Sequence, residues 1–292
     1  VEGTTLRQEL EAVPLAFTRT LAIAPPMLRS IARGQGAAVL IPLTAALLLS
    51  GCATLGKKKG ETPYVARDVE SLYSQAKQEL DQGHYKLAGG LFDEVERQHP
   101  YSEWARRAEV MGAFTYYMQK DYNKAIEGAQ RFLSIHPGNK EAPYAFYLIS
   151  LCYYEQIADV DRDQRITQQA LDALTEVIRR FPQSEYAADA KLKLDLVNDH
   201  LAGKEMEIGR YYERAGHWLA ADIRFRTVID KYQTTSHTPE ALYRLTETNL
   251  ALGIPEEAKK YAAVLGANYP GNEWYQKAYK LLNKTEPQLV KS

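Results

Sequence analysis

One spacing recurs five times along this chain and leaves little freedom for its fold. From an aromatic or small anchor, offsets of 3, 7, 10 and 15 residues select Tyr85, Ala88, Phe92, Val95 and Pro100, then Tyr122, Ala125, Ala129, Phe132 and Pro137. The same offsets select Thr167, Ala170, Leu174, Val177 and Pro182, and finally Pro255, Ala258, Ala262, Leu265 and Pro270. Between those last two sets lie Trp218, Ala221, Phe225 and Val228, with Gln233 in the proline's place. Increments of 3, 4 and 3 mark one face of an α-helix; a small residue on that face lets a second helix come close, and the proline ends the helix.

The flanks of each unit agree. Ser102, Asn139, Ser184 and Asn272 stand two places past a proline, where a side-chain oxygen can cap the next helix, and Glu103, Glu141, Glu185 and Glu273 put negative charge in its first turn. Thr238-Pro239-Glu240 starts the last repeat by the route of an N-cap followed by proline at the first helical position. Gly83, Gly216 and Gly253 lie two residues before their anchors and suit a tight turn between two helices. Each unit is therefore helix, turn, helix. The pattern resembles the tetratricopeptide repeat, which implies an all-α, right-handed superhelical solenoid of about five helix pairs, with a groove lined mainly by the first helices. The anchor intervals are 37, 45, 51 and 37 residues, against about 34 in that repeat. The surplus in the 45-residue interval falls at Ile157 to Ile166, where Asp159, Asp161 and Asp163 predict a loop, and that in the 51-residue interval predicts a continuous helix from Ser184 towards Ala215. Repeats 1 and 2 thus occupy 65–138, repeat 3 with its loop 139–183, and repeats 4 and 5 with a terminal helix 184–285.

Upstream of the repeats the chain reads as an export signal. Arg29 and Arg33 precede the apolar run Ala37 to Leu49, and Leu49-Ser50-Gly51-Cys52 follows it. Those 13 residues include Pro42 and span only about 20 Å as a helix, too short for a hydrocarbon core of about 30 Å. The Leu-Ser-Gly-Cys ending resembles the bacterial lipobox, so residues 27–51 are expected to be cleaved and Cys52 to be lipidated as the first mature residue. Several acyl chains anchor stably where one is marginal. Ala53, rather than the Asp that favours inner-membrane retention in enterobacterial lipoproteins, points to the outer membrane. Residues 1–26 fit no part of a signal and read as an extension of the gene model, and 52–64, with Lys57-Lys58-Lys59, read as a flexible tether.

Chemistry is hard to find. The net charge is -1, from 36 Lys+Arg and 37 Asp+Glu, so no overall positive field recommends nucleic acid as a partner. Asp159-x-Asp161-x-Asp163 imitates the start of a calcium loop, but Gln164 and Ala170 stand where that loop needs Gly and a bidentate Glu. No nucleophile elbow, phosphate loop or paired-histidine metal motif occurs, so neither an enzyme nor a metal or other cofactor is expected beyond the lipid on Cys52. Cys152, among Leu151, Tyr153 and Tyr154, reads as core. The residue in surplus is tyrosine, at 20 copies, doubled at Tyr116-Tyr117, Tyr153-Tyr154 and Tyr211-Tyr212. Neighbours about 100° apart on a helix can divide between core and groove. Tyr73, Tyr116 and Tyr117, all on first helices, are the residues expected to line a peptide groove.

Lipobox, tether and five repeats, together with Pro100-Tyr101-Ser102-Glu103-Trp104-Ala105, Arg162-Asp163-Gln164, the run Pro182 to Ala190, and Trp218 with Arg224, resemble the ComL-type (BamD) lipoproteins of the β-barrel assembly machinery. That resemblance implies a scaffold on the periplasmic face of the outer membrane. Its first two repeats would receive the C-terminal targeting strand of unfolded outer-membrane proteins, and its last repeats the POTRA domain of the barrel subunit BamA, with Arg224 in that contact. Other lipoproteins of the machinery would be further partners. The alternative is a repeat lipoprotein of cell-wall synthesis or Tol-Pal function; such proteins usually add a coiled coil, and no sustained heptads occur here.

Overall fold

The structure, a computed structural model, describes residues 68–160 and 162–285. Among them lie eleven helices and no strand: α1 (Val69–Asp81), α2 (Tyr85–Gln98), α3 (Glu103–Met118), α4 (Tyr122–Ile135), α5 (Ala142–Tyr154), α6 (Arg165–Arg180), α7 (Glu185–Arg214), α8 (Trp218–Lys231), α9 (Thr238–Ala251), α10 (Pro255–Asn268) and α11 (Glu273–Thr285). They stack as five sequential pairs closed by α11, an all-α repeat solenoid, and the successive first helices α1, α3, α5 and α7 also touch one another. The signal at 27–51, the stretch 1–26, Cys52, Lys57 to Lys59 and Asp161 lie outside the described residues.

The five second helices bury the faces their spacing marks: Ala88, Phe92 and Val95 on α2, Ala125, Ala129 and Phe132 on α4, Ala170, Leu174 and Val177 on α6, Ala221, Phe225 and Val228 on α8, Ala258, Ala262 and Leu265 on α10. The turns inside the pairs work as their glycines require, with φ of 78° at Gly83, 76° at Gly216 and 77° at Gly253. Lys120 occupies the same turn before Tyr122 at φ 62°, a left-handed conformation that costs a side chain about 1–2 kcal/mol.

Helix entry follows two routes where the sequence suggests one. Ser102 and Ser184 cap α3 and α7, their hydroxyls accepting from the amides of Ala105 and Ala187 at 2.9 and 3.2 Å. Asn139 and Asn272 instead accept from the amide two residues on, Glu141 and Trp274, each at 2.9 Å. Thr238 is not the N-cap of α9 but its first residue, and its hydroxyl donates to the carbonyls of Tyr232 and Gln233 at 3.2 and 3.0 Å. It thereby satisfies the frayed end of α8, where the other repeats have proline.

Helix α7 runs unbroken for 30 residues, as the interval demands. Its first half, with Ala190 and Val197, shares a core with α6, and its second half, with Ala202 and Met206, shares another with α8 and α9. Gly209 belongs to that second core: a Cβ there would stand 2.8 Å from Cδ1 of Phe225, so the Phe225 ring needs the missing side chain. Among the described residues no helix is long and apolar enough to cross a membrane.

Candidate peptide-binding surface

The three tyrosines expected in a groove part company. Tyr73 is 2% exposed, with its ring 5.6 Å from Phe92 and 4.9 Å from Trp104. It is a core residue and lines nothing, because α1 has neighbours on the side where a groove was expected. Tyr116 also departs from the expectation. Its hydroxyl donates to Asp93 of α2 at 2.6 Å and Lys124 of α4 lies 5.4 Å from its ring centroid, so it turns towards the second helices. Burial and then the Asp93 contact push its phenol up to about 12.

Tyr117 faces both the start of α4 and the end of the next first helix, α5. Its ring is 5.9 Å from Tyr122, and burial, followed by the Glu155 carboxylate at the end of α5, holds its phenol well above the usual range. Tyrosines on α5 and α7 form a further ladder. Tyr186 stacks on Tyr147 at 5.2 Å and meets Tyr144 at 5.6 Å, while Tyr147 donates to Asp189. Lys193 bonds the same carboxylate at 2.6 Å and stands 5.7 Å from the ring of Tyr154. Burial first, and then the Asp189 contact, raises the Tyr147 phenol, so it remains a donor at any physiological pH. Of the other doubled pairs, Tyr211 is exposed and Tyr212 packs against the core of α7 to α9, which is the division a 100° step allows. Cys152 is fully buried and burial pushes its thiol up to about 12, the state of an inert core thiol.

Repeats 4 and 5 are built on charge instead. Arg244 of α9 reaches Glu213 of α7 at 3.1 Å, Glu247 at 3.0 Å and Glu240 at 3.4 Å, and Arg210 reaches Glu240 at 3.2 Å. The Arg244 guanidinium also lies 5.7 Å from the ring of Trp274, over which Lys277 sits at 3.8 Å. A cleft of about 530 Å³ opens here, with Trp218, Leu250 and Leu281 as its apolar wall. Burial lifts the Glu213 carboxyl to about 7 despite Arg244, which pulls the other way. Sequence reasoning missed this network: Glu240, Arg244 and Glu247 have helical spacing, but Glu213 is brought in from another helix. It missed equally the buried Asp222, which accepts from Asn249 at 2.7 Å and pairs with Arg226 at 3.0 Å, locking α8 to α9.

Arg224 sits at the core margin, as its place one residue before Phe225 requires. Its Nη1 donates to Glu205 of α7 at 3.1 Å with the side chain 40% exposed. Leu219 and Ile223, on the same helix, are 63% and 56% exposed. The acidic loop is closed from within: the Gln164 amide donates to the carbonyls of Asp159, Val160 and Arg162 at 3.2, 3.3 and 3.0 Å. Those bonds give the glutamine of the Arg-Asp-Gln segment a structural role.

Residues 65–265 match the YfiO family model, described as outer membrane lipoprotein. The chain is 54% identical over 258 residues to an outer membrane protein assembly factor BamD from Caulobacter vibrioides, covering 88% of this chain and 84% of that one. A protein of the same name from Rickettsia prowazekii is 44% identical, with 82% and 94% of the two chains covered, and one from Neisseria meningitidis serogroup A is 32% identical, with 83% and 95% covered. With a family model matched across the repeats and relatives this similar along nearly their whole length, the chain belongs to the YfiO family of outer membrane lipoproteins.

Proposed function

We propose that this chain is a non-enzymatic scaffold of outer-membrane β-barrel assembly, held on the periplasmic face of the outer membrane by lipid on Cys52. The observation that carries this is the 54% identity to a named outer membrane protein assembly factor over 84% of that protein's length. On this reading the tyrosine-rich first helices take an extended, aromatic-ended strand of an unfolded barrel protein. Tyrosine suits that task, since its ring offers broad apolar area and its hydroxyl a donor, at the cost of few rotors. The C-terminal repeats hold the POTRA region of a BamA-like barrel subunit, with Arg224 and the exposed Leu219 and Ile223 on the contact side. Other lipoproteins of the machinery complete the assembly.

Mild-detergent isolation of the chain from its own outer membranes, followed by mass spectrometry, tests the reading. A barrel subunit with POTRA domains is expected in stoichiometric amount; recovery without one, or with cell-wall synthases instead, refutes it. Arg224→Glu is expected to lose that subunit while circular dichroism stays helical. Cys52→Ala is expected to give an uncleaved precursor that incorporates no labelled palmitate.

A further inference from the structure

The start of α3 and the start of α5 lie side by side, and between them is a cleft of about 210 Å³ lined by Glu103, Arg106, Arg107, Asn139, Lys140 and Glu141. Three cations thus face two carboxylates, and the cations are unequally spent. Arg107 bonds Glu103 at 3.2 Å and leans over the Trp104 ring at 5.3 Å, while Lys140 is only loosely paired with Glu141 at 3.9 Å. Arg106 makes no hydrogen bond or ion pair among the described residues. The positive ends of two helices add to the field in the same small space.

We propose that this cleft is a carboxylate-binding site, in which Arg106 holds an acidic group of a bound polypeptide. The inference rests on the reading that the first helices take peptide. A guanidinium presents parallel N–H donors that match a carboxylate, and one with no hydrogen-bonded partner in a cleft has those donors available to the anion. The neighbourhood favours a peptide over a free anion. Tyr101, in the turn that leads into α3 two residues before Glu103, is 96% exposed and offers an aromatic surface to an adjoining side chain.

The test uses the mature chain and a fluorescein-labelled peptide of alternating tyrosine and glycine ending in phenylalanine. The peptide is made as the free acid, as the terminal amide, and as the amide with one internal aspartate. Fluorescence polarisation should show at least one acid form binding about tenfold more tightly than the plain amide, the change that one charge-assisted contact brings. Which acid form gains identifies the source as the chain terminus or a side chain. Arg106→Ala should erase the difference, Arg106→Lys should keep part of it, and Arg165→Ala, an exposed arginine elsewhere, should leave it intact. If Arg106→Ala is unfolded by circular dichroism, Lys140→Ala serves in its place and should shrink the difference. Equal binding of all three peptides overturns the cleft and spares the groove; binding of none overturns both. Displacement by inorganic phosphate at concentrations where acetate has no effect makes this a phosphate site and also overturns the proposal.

Discussion

Two buried glutamates on first helices, Glu109 in the second repeat and Glu213 in the fourth, share a carboxyl raised to about 7 by burial. Their surroundings differ. Glu109 has His136 Nε2 at 3.8 Å, and one of its oxygens has no hydrogen bond. Glu96 adds to its rise, while Arg131 and Arg106 oppose it from a distance. Glu213 has the Arg244 guanidinium at 3.1 Å, in a network that also engages Glu240 and Glu247. Similar burial therefore serves different structural uses. Both ionised carboxylates weigh on the fold, but Glu109 does so without a structural return, whereas Glu213 and its neighbours hold the half-buried Arg244 and tie α7 to α9.

The largest test is to remove the arginine. Arg244→Ala leaves Glu213 and Glu247 without a cation and Glu240 with Arg210 alone, and breaking this part-buried ion network should cost about 3 kcal/mol. Urea denaturation at pH 8 checks this, and the loss should shrink towards pH 5 as Glu213 takes up a proton. A loss below about 1 kcal/mol at pH 8 would reduce the network to surface pairs, whose median value is no more than that.

Next in size is Glu109→Gln. A carboxyl whose folded pKa is about 7, against an ordinary value of 4.5, keeps a proton that the unfolded chain releases. The folded state is therefore penalised progressively as pH rises from 4.5 to 7, and fully above that. Glutamine escapes the penalty, so the variant should be about 2 kcal/mol more stable than the parent at pH 8 and indistinguishable at pH 4. Glu213→Gln sharpens the contrast: its ionisation penalty is similar, but glutamine must also take over the contact with Arg244, so its gain at pH 8 should be about 1 kcal/mol smaller than that of Glu109→Gln. Equal stabilisation by both substitutions would show that the two sites do not differ.

The smallest effect separates the adjacent tyrosines. Tyr116→Phe loses the hydroxyl bond to Asp93 and should lower stability by about 1 kcal/mol without touching peptide affinity. Tyr117→Phe loses its contact with Glu155 and should lower stability by a similar amount, but should also weaken peptide binding severalfold. Weakened peptide binding by the Tyr116 variant and not the Tyr117 variant, measured by polarisation, would exchange their assignments.

Where each helix begins, turns and ends was legible because those features are decided by residues within four or five places of each other. The repeated Ala and Phe faces, the left-handed glycines and the serine caps follow from such local spacing, and the 30-residue α7 from the surplus in the interval between two anchors. Thr238 escaped because its hydroxyl serves the end of the previous helix rather than the start of its own. The surfaces were less legible for the same reason. Tyr116 and Tyr117 differ by one residue, and only the positions of α2, α4 and α5 decide which of them meets Asp93 and which meets Glu155. Tyr73 has the composition of a groove residue and the burial of a core one because Phe92 and Trp104 close over it.

The sequence by itself determined the helix pairs, their order and the family, since these rest on periodicity along the chain. Tertiary structure alone decided the charge arrangement: that Arg244 meets a glutamate from α7, that Arg224 already pairs with Glu205, and that Arg106 is left unpaired between two helix starts. Electrostatic partners are chosen by distance in space, and in a stacked repeat the nearest charge commonly belongs to a helix tens of residues away.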